Sequence, residues 1–185
     1  MGDISAPPYP EDMSTIKGKT VTFGVVASLL LMGVVPMFTG AYGSGTSYTF
    51  TLEGPNTARA TANIPQTPII AGDTLRLTGA GAFDTSGASS GGGAFTHFRP
   101  DGSIVAKGTW DVMGYQGFTP SGSPSNGKQG GELLITISIR NANTGFGFSG
   151  LTMKIISGTA QEGTTLPALF NDVACPSRTS IHLHN

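Results

Sequence analysis

Glu132-Leu133-Leu134-Ile135-Thr136-Ile137-Ser138-Ile139-Arg140 is the stretch that decides the fold class. Leu133, Ile135, Ile137 and Ile139 alternate with Leu134, Thr136 and Ser138, so one face is wholly apolar and the other mixed. That period of two is the mark of a half-buried strand. Working outward, Leu151 to Ile156 continues the pattern, and Ser180 to His184 reads as a last strand. On the N-terminal side, Tyr48, Phe50 and Leu52 share one face of a first strand, and Ala58 to Ile64 reads as a second, ending at Pro65. Thr74 to Thr78 forms a third, launched by the turn Ala71-Gly72-Asp73. Gly93 to Phe98 and Ser103 to Lys107 flank Arg99-Pro100-Asp101-Gly102, and Thr109 to Met113 follows. An Asp-Gly pair after Pro suits a hairpin, because Gly accepts positive φ and Asp bonds its own backbone.

Helical patterning is nearly absent in all of this. Short strands separated by Gly, Pro and Ser predict an all-β fold, an antiparallel β-sandwich with a small β-barrel as the alternative. Thr85 to Gly93 and Thr119 to Gly131 lack the apolar residues that offset ordering entropy, so both are expected to be loops. Gly145, Gly147 and Gly150 match G-x-G-x-x-G by letter. They lead into a strand rather than a helix, which favours a glycine-rich turn over a phosphate cradle. Gly91-Gly92-Gly93 is likewise followed by no Lys-Ser/Thr pair. No internal repeat emerges, and no cofactor-binding pattern is found.

The N-terminal part has a different character. Residues 20–38 are apolar and uncharged, entered after Lys17 and Lys19 and left through Thr39-Gly40-Ala41-Tyr42-Gly43. A basic lip, an apolar middle and a small-residue exit are the features of an export signal. The sequence thus predicts an N-terminal extension with a hydrophobic signal helix over 1–43 and a single all-β domain over 44–185. Asp3, Glu11, Asp12 and three prolines make 1–12 an unusual opening, so Met13 is the expected start and cleavage is expected after Gly43. The rival reading is an uncleaved anchor, since residues 20–38 are about long enough to cross a bilayer. The expected address is secreted or cell surface, with the membrane involved only through that segment.

Only 11% of the residues are charged, against roughly 25% in an ordinary soluble domain. From residue 44 onward eight basic and eight acidic side chains cancel and are scattered in sequence. Nucleic-acid binding needs a clustered positive footprint, which the sequence order does not provide. Near-neutrality also lowers the repulsion between copies, so a homo-oligomer is an open expectation. Cys175 is the only cysteine, which excludes an intramolecular disulfide. Its neighbours Val173, Ala174 and Pro176 suggest a buried strand end.

Chemistry-bearing residues are few. His97, His182 and His184 are the only imidazoles. On a strand, His182 and His184 share a face and could offer two ligands to one metal, with His97 or Glu132 as a third. No recognised ligand spacing supports this, and a fraying terminal strand is the plainer reading. A blue-copper arrangement fails because six residues separate Cys175 from His182 and no Met follows. Gly87-Ala88-Ser89-Ser90-Gly91 fits G-x-S-x-G, but without the strand–turn–helix setting that would expose Ser89 as a nucleophile. Asp101 and Asp111 are explained better by a turn and by solvent than by paired-carboxylate catalysis.

The aromatics Phe95, Phe98, Trp110, Tyr115, Phe118, Phe146 and Phe148 are mostly expected to fill the core. Tyr115 and Phe118 sit just before a Gly/Ser-rich stretch, where exposed rings could stack on a sugar or anchor a protein partner, with Trp110 beside them.

The run Gly92 to Trp110, with its Phe-Thr-His strand, Asp-Gly turn and Gly-x-Trp ending, resembles a stretch of small secreted microbial β-domain proteins of unknown function. Ala71 to Leu75, Gly130 to Leu134 and Glu162-Gly163-Thr164 are similar to that group as well. The resemblance implies an exported β-domain and carries no catalytic residue. The functional expectation is a non-enzymatic exported protein that binds a glycan, an envelope component or a surface protein. The alternatives are a self-assembling extracellular subunit and a His-dependent metal protein or enzyme.

Overall fold

The computed structural model describes residues 45–175 and 177–184; the signal segment, its cleavage point and the choice of start lie outside the described residues. Among the described residues there is no helix, and nine strands run in the order β1 (Ser47–Arg59), β2 (Thr74–Asp84), β3 (Ser89–Phe98), β4 (Ile104–Ser125), β5 (Lys128–Asn141), β6 (Gly147–Ser157), β7 (Gly163–Thr165), β8 (Asp172–Ala174) and β9 (Thr179–Leu183). Every pairing is antiparallel. The all-β, antiparallel expectation is met. The pairing path β4-β3-β2-β1-β9-β5-β6-β7 also returns on itself, because β4 pairs with β5 along most of its length.

The quoted alternation works as its chemistry demands. Leu133, Ile135 and Ile137 are fully buried, while Leu134, Thr136 and Ser138 are half-buried on the other face. Burying each such aliphatic side chain contributes about 1.5–3 kcal/mol relative to exposure. They meet Phe50, Leu52, Leu75, Leu77, Trp110, Met153, Ile155 and Ile181 in one core.

β4 presents inward residues at 110, 112, 115 and 118, a spacing that no regular strand can produce. Two bulges account for it. Register shifts between Val112 and Gly114 and between Tyr115 and Gly117 each insert an extra residue, so Trp110, Val112, Tyr115 and Phe118 stand opposite Ile139, Ile137, Ile135 and Leu133. The inserted residues are turned out: Met113 is 63% exposed, and the Gln116 amide donates to the hydroxyls of Thr136 and Thr152.

Several sequence expectations are corrected here. Ala58 does not begin a second strand; β1 passes a shift between Leu52 and Asn56 and runs on to Arg59, and 60–64 is not strand. Ser89 to Gly93 is strand, its backbone paired with Gly79 to Phe83. Gly79 and Gly93 face each other there, and a Cβ on Gly79 would lie 2.6 Å from the Trp110 ring. The glycines make room for the tryptophan.

Thr119 to Gly131 is no loop either. It is the end of β4 and the start of β5, joined by Asn126-Gly127 with φ of 53° and 75°. Two successive positive φ values match the twist of a hairpin, and Asn-Gly is the pair that tolerates them best. Cys175 is exposed rather than buried. The inward residue at the end of β8 is Ala174, and the next position falls on the other side.

Candidate functional site

An apolar pocket lies where β2 and β4 begin and β3 and β5 end. It holds about 220 Å³ and is lined mainly by apolar side chains, among them Ile69, Leu75, Phe95, Ile139, Leu169 and Phe170. Local sequence explains the placement. Leu75 and Phe95 are inward positions of paired strands, and the segment 166–170 folds over them through a tight turn in which the Leu169 and Phe170 N–H groups donate to the Leu166 carbonyl.

One imidazole lines this pocket. His97 is inward on β3 by the same alternation that buries Phe95. Its Nε2 lies 2.7 Å from Asp73 Oδ2, and Phe170 packs edge-on against its ring at 5.3 Å. Asp73 is fully buried, and the same Oδ2 accepts from Arg99 Nη1 at 2.8 Å and from the Ile70 N–H at 3.1 Å. Arg99 Nη1 also donates to the Pro68 carbonyl at 2.6 Å. A carboxylate oxygen already accepting from a guanidinium acts as an acceptor toward the ring too, so Nε2 carries the hydrogen. Any polar contact that His97 offers to the pocket then comes from Nδ1. Asp73 Oδ1 is buried with no hydrogen-bond partner among the described residues.

The mouth is aromatic. Phe146 and Phe148 are 66% and 38% exposed and pack edge to face at 5.3 Å. Core filling was the expectation for most rings, and these two depart from it. They bracket Gly147 at the start of β6, where residues 147–150 are exposed and pair with β5 alone.

The residues singled out from sequence are dispersed. Trp110 is fully buried and its indole N–H donates to the Thr78 carbonyl at 3.1 Å, so its ring is closed to a ligand. Tyr115 and Phe118 are half-buried and pack with Tyr48 and Phe83, centroids 5.0–5.8 Å apart. Burial holds the Tyr115 phenol above its ordinary range, against the backbone hydrogen bond that lowers it.

The three histidines are not brought together. His182 follows the buried Ile181 on β9 and His184 lies just past the end of that strand, while His97 is inward on β3, with β2 and β1 between. Among the described residues no three His, Cys, Asp or Glu side chains converge as a metal site. Ser89 begins β3 and shares a shallow cleft with Asp84 and His184, but no hydrogen bond links the three.

The sequence reading passed over Asp73, Arg99 and Phe170, and treated Asp73 as part of a turn. The one available signal was Phe146-Gly147-Phe148, two rings two residues apart beside a glycine turn. The chain matches no family model, no curated protein and no solved structure.

Proposed function

We propose that this chain is an exported binding protein, secreted or held at the cell surface, whose pocket takes a small ligand with an apolar body and one hydrogen-bonding group. The observation that carries this is the pocket itself: apolar walls, two exposed phenylalanines at its mouth, and one imidazole with Nε2 fixed by Asp73. Ligand pockets are typically apolar with a few placed polar groups. An apolar ligand fits such walls better than a glycan, whose many hydroxyls would find few partners. Catalysis is not part of the proposal, since no nucleophile accompanies the Asp73–His97 pair: the Thr67 hydroxyl in the same pocket already donates to the Ile64 carbonyl. The circuit of pairings through β1, β2, β3, β4, β5 and β9 favours the small barrel over the sandwich.

The test uses the neutral apolar dye N-phenyl-1-naphthylamine. Its fluorescence should rise saturably with the native protein, and both Ala106→Phe, which fills the pocket, and the Phe146→Ala/Phe148→Ala pair should weaken it. Emission that does not saturate, or that ignores both variants, overturns the proposal.

A second reading, self-assembly outside the cell, is favoured by the open edge of β6. Among the described residues, 147–153 pair with no strand other than β5, and an unpaired edge is a template for another chain.

A further inference from the structure

The opposite face of the same β1–β2–β3 region carries a different surface. Thr74 and Arg76 alternate with the buried Leu75 and Leu77, and Phe98 follows the buried His97, so all three point away from the core. Arg59 ends β1 directly opposite Thr74. The hairpin Arg99-Pro100-Asp101-Gly102 adds Arg99 from the side. Asp101 apart, these residues line one cleft of about 510 Å³ that has three arginines among its walls, and among the described residues no acidic side chain lines it.

We propose that this cleft binds an oxyanion group, phosphate, sulfate or carboxylate, in a site separate from the apolar pocket. Two of the three cations are already oriented. The Arg76 guanidinium lies 4.7 Å from the Phe98 ring centroid, a stacked pose that leaves its edge of N–H donors free. Arg99 is engaged only through Nη1, on Asp73 and Pro68. Among the described residues Arg59 and Arg76 form no ion pair. Of the acids nearby, Asp73 engages one nitrogen of Arg99, Asp101 accepts from the Ser103 N–H in its own turn, and Asp172, the β8 partner of Arg59, does not come within ion-pair distance of it. The Thr74 hydroxyl adds a neutral donor to the same cleft. Planar guanidinium forks match the two-oxygen edge of these anions, which makes arginine the usual residue for such recognition.

The sequence hid this arrangement. Arg59, Arg76 and Arg99 are far apart along the chain, and scattered charge in sequence gave no sign that three strand ends would gather it.

The experiment titrates the full chain at constant ionic strength with inorganic phosphate, sulfate or galacturonate, following amide chemical shifts. Saturable shifts at Thr74, Arg76 and Gly102 are expected with at least one anion. A preference for phosphate and sulfate identifies a tetrahedral group, and a preference for galacturonate a sugar carboxylate. Arg59→Gln/Arg76→Gln, which leaves the Asp73-bound Arg99 untouched, should weaken binding about tenfold or more. No saturable response to any of the three, or equal affinity in that double variant, overturns the proposal. Neither outcome depends on whether the apolar pocket binds its dye.

Discussion

The two ends of the β-domain hold the same kinds of side chain and use them in opposite ways. At one end Tyr48, Phe83, Tyr115 and Phe118 pack on each other with centroids 5.0–5.8 Å apart, two pairs stacked and both Phe118 pairs tilted or edge-on, and Phe83 in their midst is 2% exposed. At the other, Phe146 and Phe148 make a single edge-to-face contact with each other and stand over a cavity of about 220 Å³. Rings that satisfy one another have no face left for a ligand. The difference comes from the backbone. The bulges of β4 deliver Tyr115 and Phe118 inward from positions three apart, whereas Phe146 and Phe148 stand on either side of Gly147, where β6 begins beside an exposed turn.

The largest effect should come from a matched pair of truncations. Phe83→Ala should cost about 3–5 kcal/mol, as for a large buried ring leaving a cavity. Phe146→Ala, at 66% exposure, should change stability by no more than about 0.5 kcal/mol. Equal losses in chemical denaturation would erase the distinction between a closed and an open end.

The strand β5 and the Asp101-Gly102 hairpin were legible because their signals are local: an alternating run, and a turn pair that only a few residues can make. In that hairpin the Arg99 N–H donates to the Ser103 carbonyl at 2.8 Å, and Gly102 takes φ of 85°. What escaped was held by partners rather than by its own composition. Ser89 to Gly93 is strand because β2 pairs with it, and Thr119 to Ser125 because β5 does. Asn126-Gly127 was a readable hairpin signal, masked by the polar residues around it. The candidate site was legible in one residue, His97, for a role in metal binding that the placement of His182 and His184 does not assemble. Asp73 and Arg99 are 24 and 2 positions from it, and only the closing of the β2–β3 ladder sets them around one oxygen.

The smallest effect concerns acid. Each end carries an aspartate turn: Asp84 accepts from the Ser86 N–H at 2.6 Å and from the Ser47 hydroxyl at 3.0 Å, and Asp101 from the Ser103 N–H at 2.9 Å. Hydrogen bonds to Ser86 hold the Asp84 carboxyl below its ordinary range, and those to Ser103 do the same for Asp101. A folded-state value below the unfolded one means that the contribution is complete above the ordinary aspartate range, near pH 4, and is lost as pH falls through the folded value. Asp84 ties β1 to its own turn, while Asp101 holds only its own loop, so Asp84→Asn should lower the melting temperature more than Asp101→Asn at neutral pH. Both differences from the native protein should shrink as the medium is acidified below about pH 4, because there the native carboxyls are losing the same bonds. Melting curves that stay parallel at every pH would show that the two turns are held by backbone geometry and that their carboxylates add nothing.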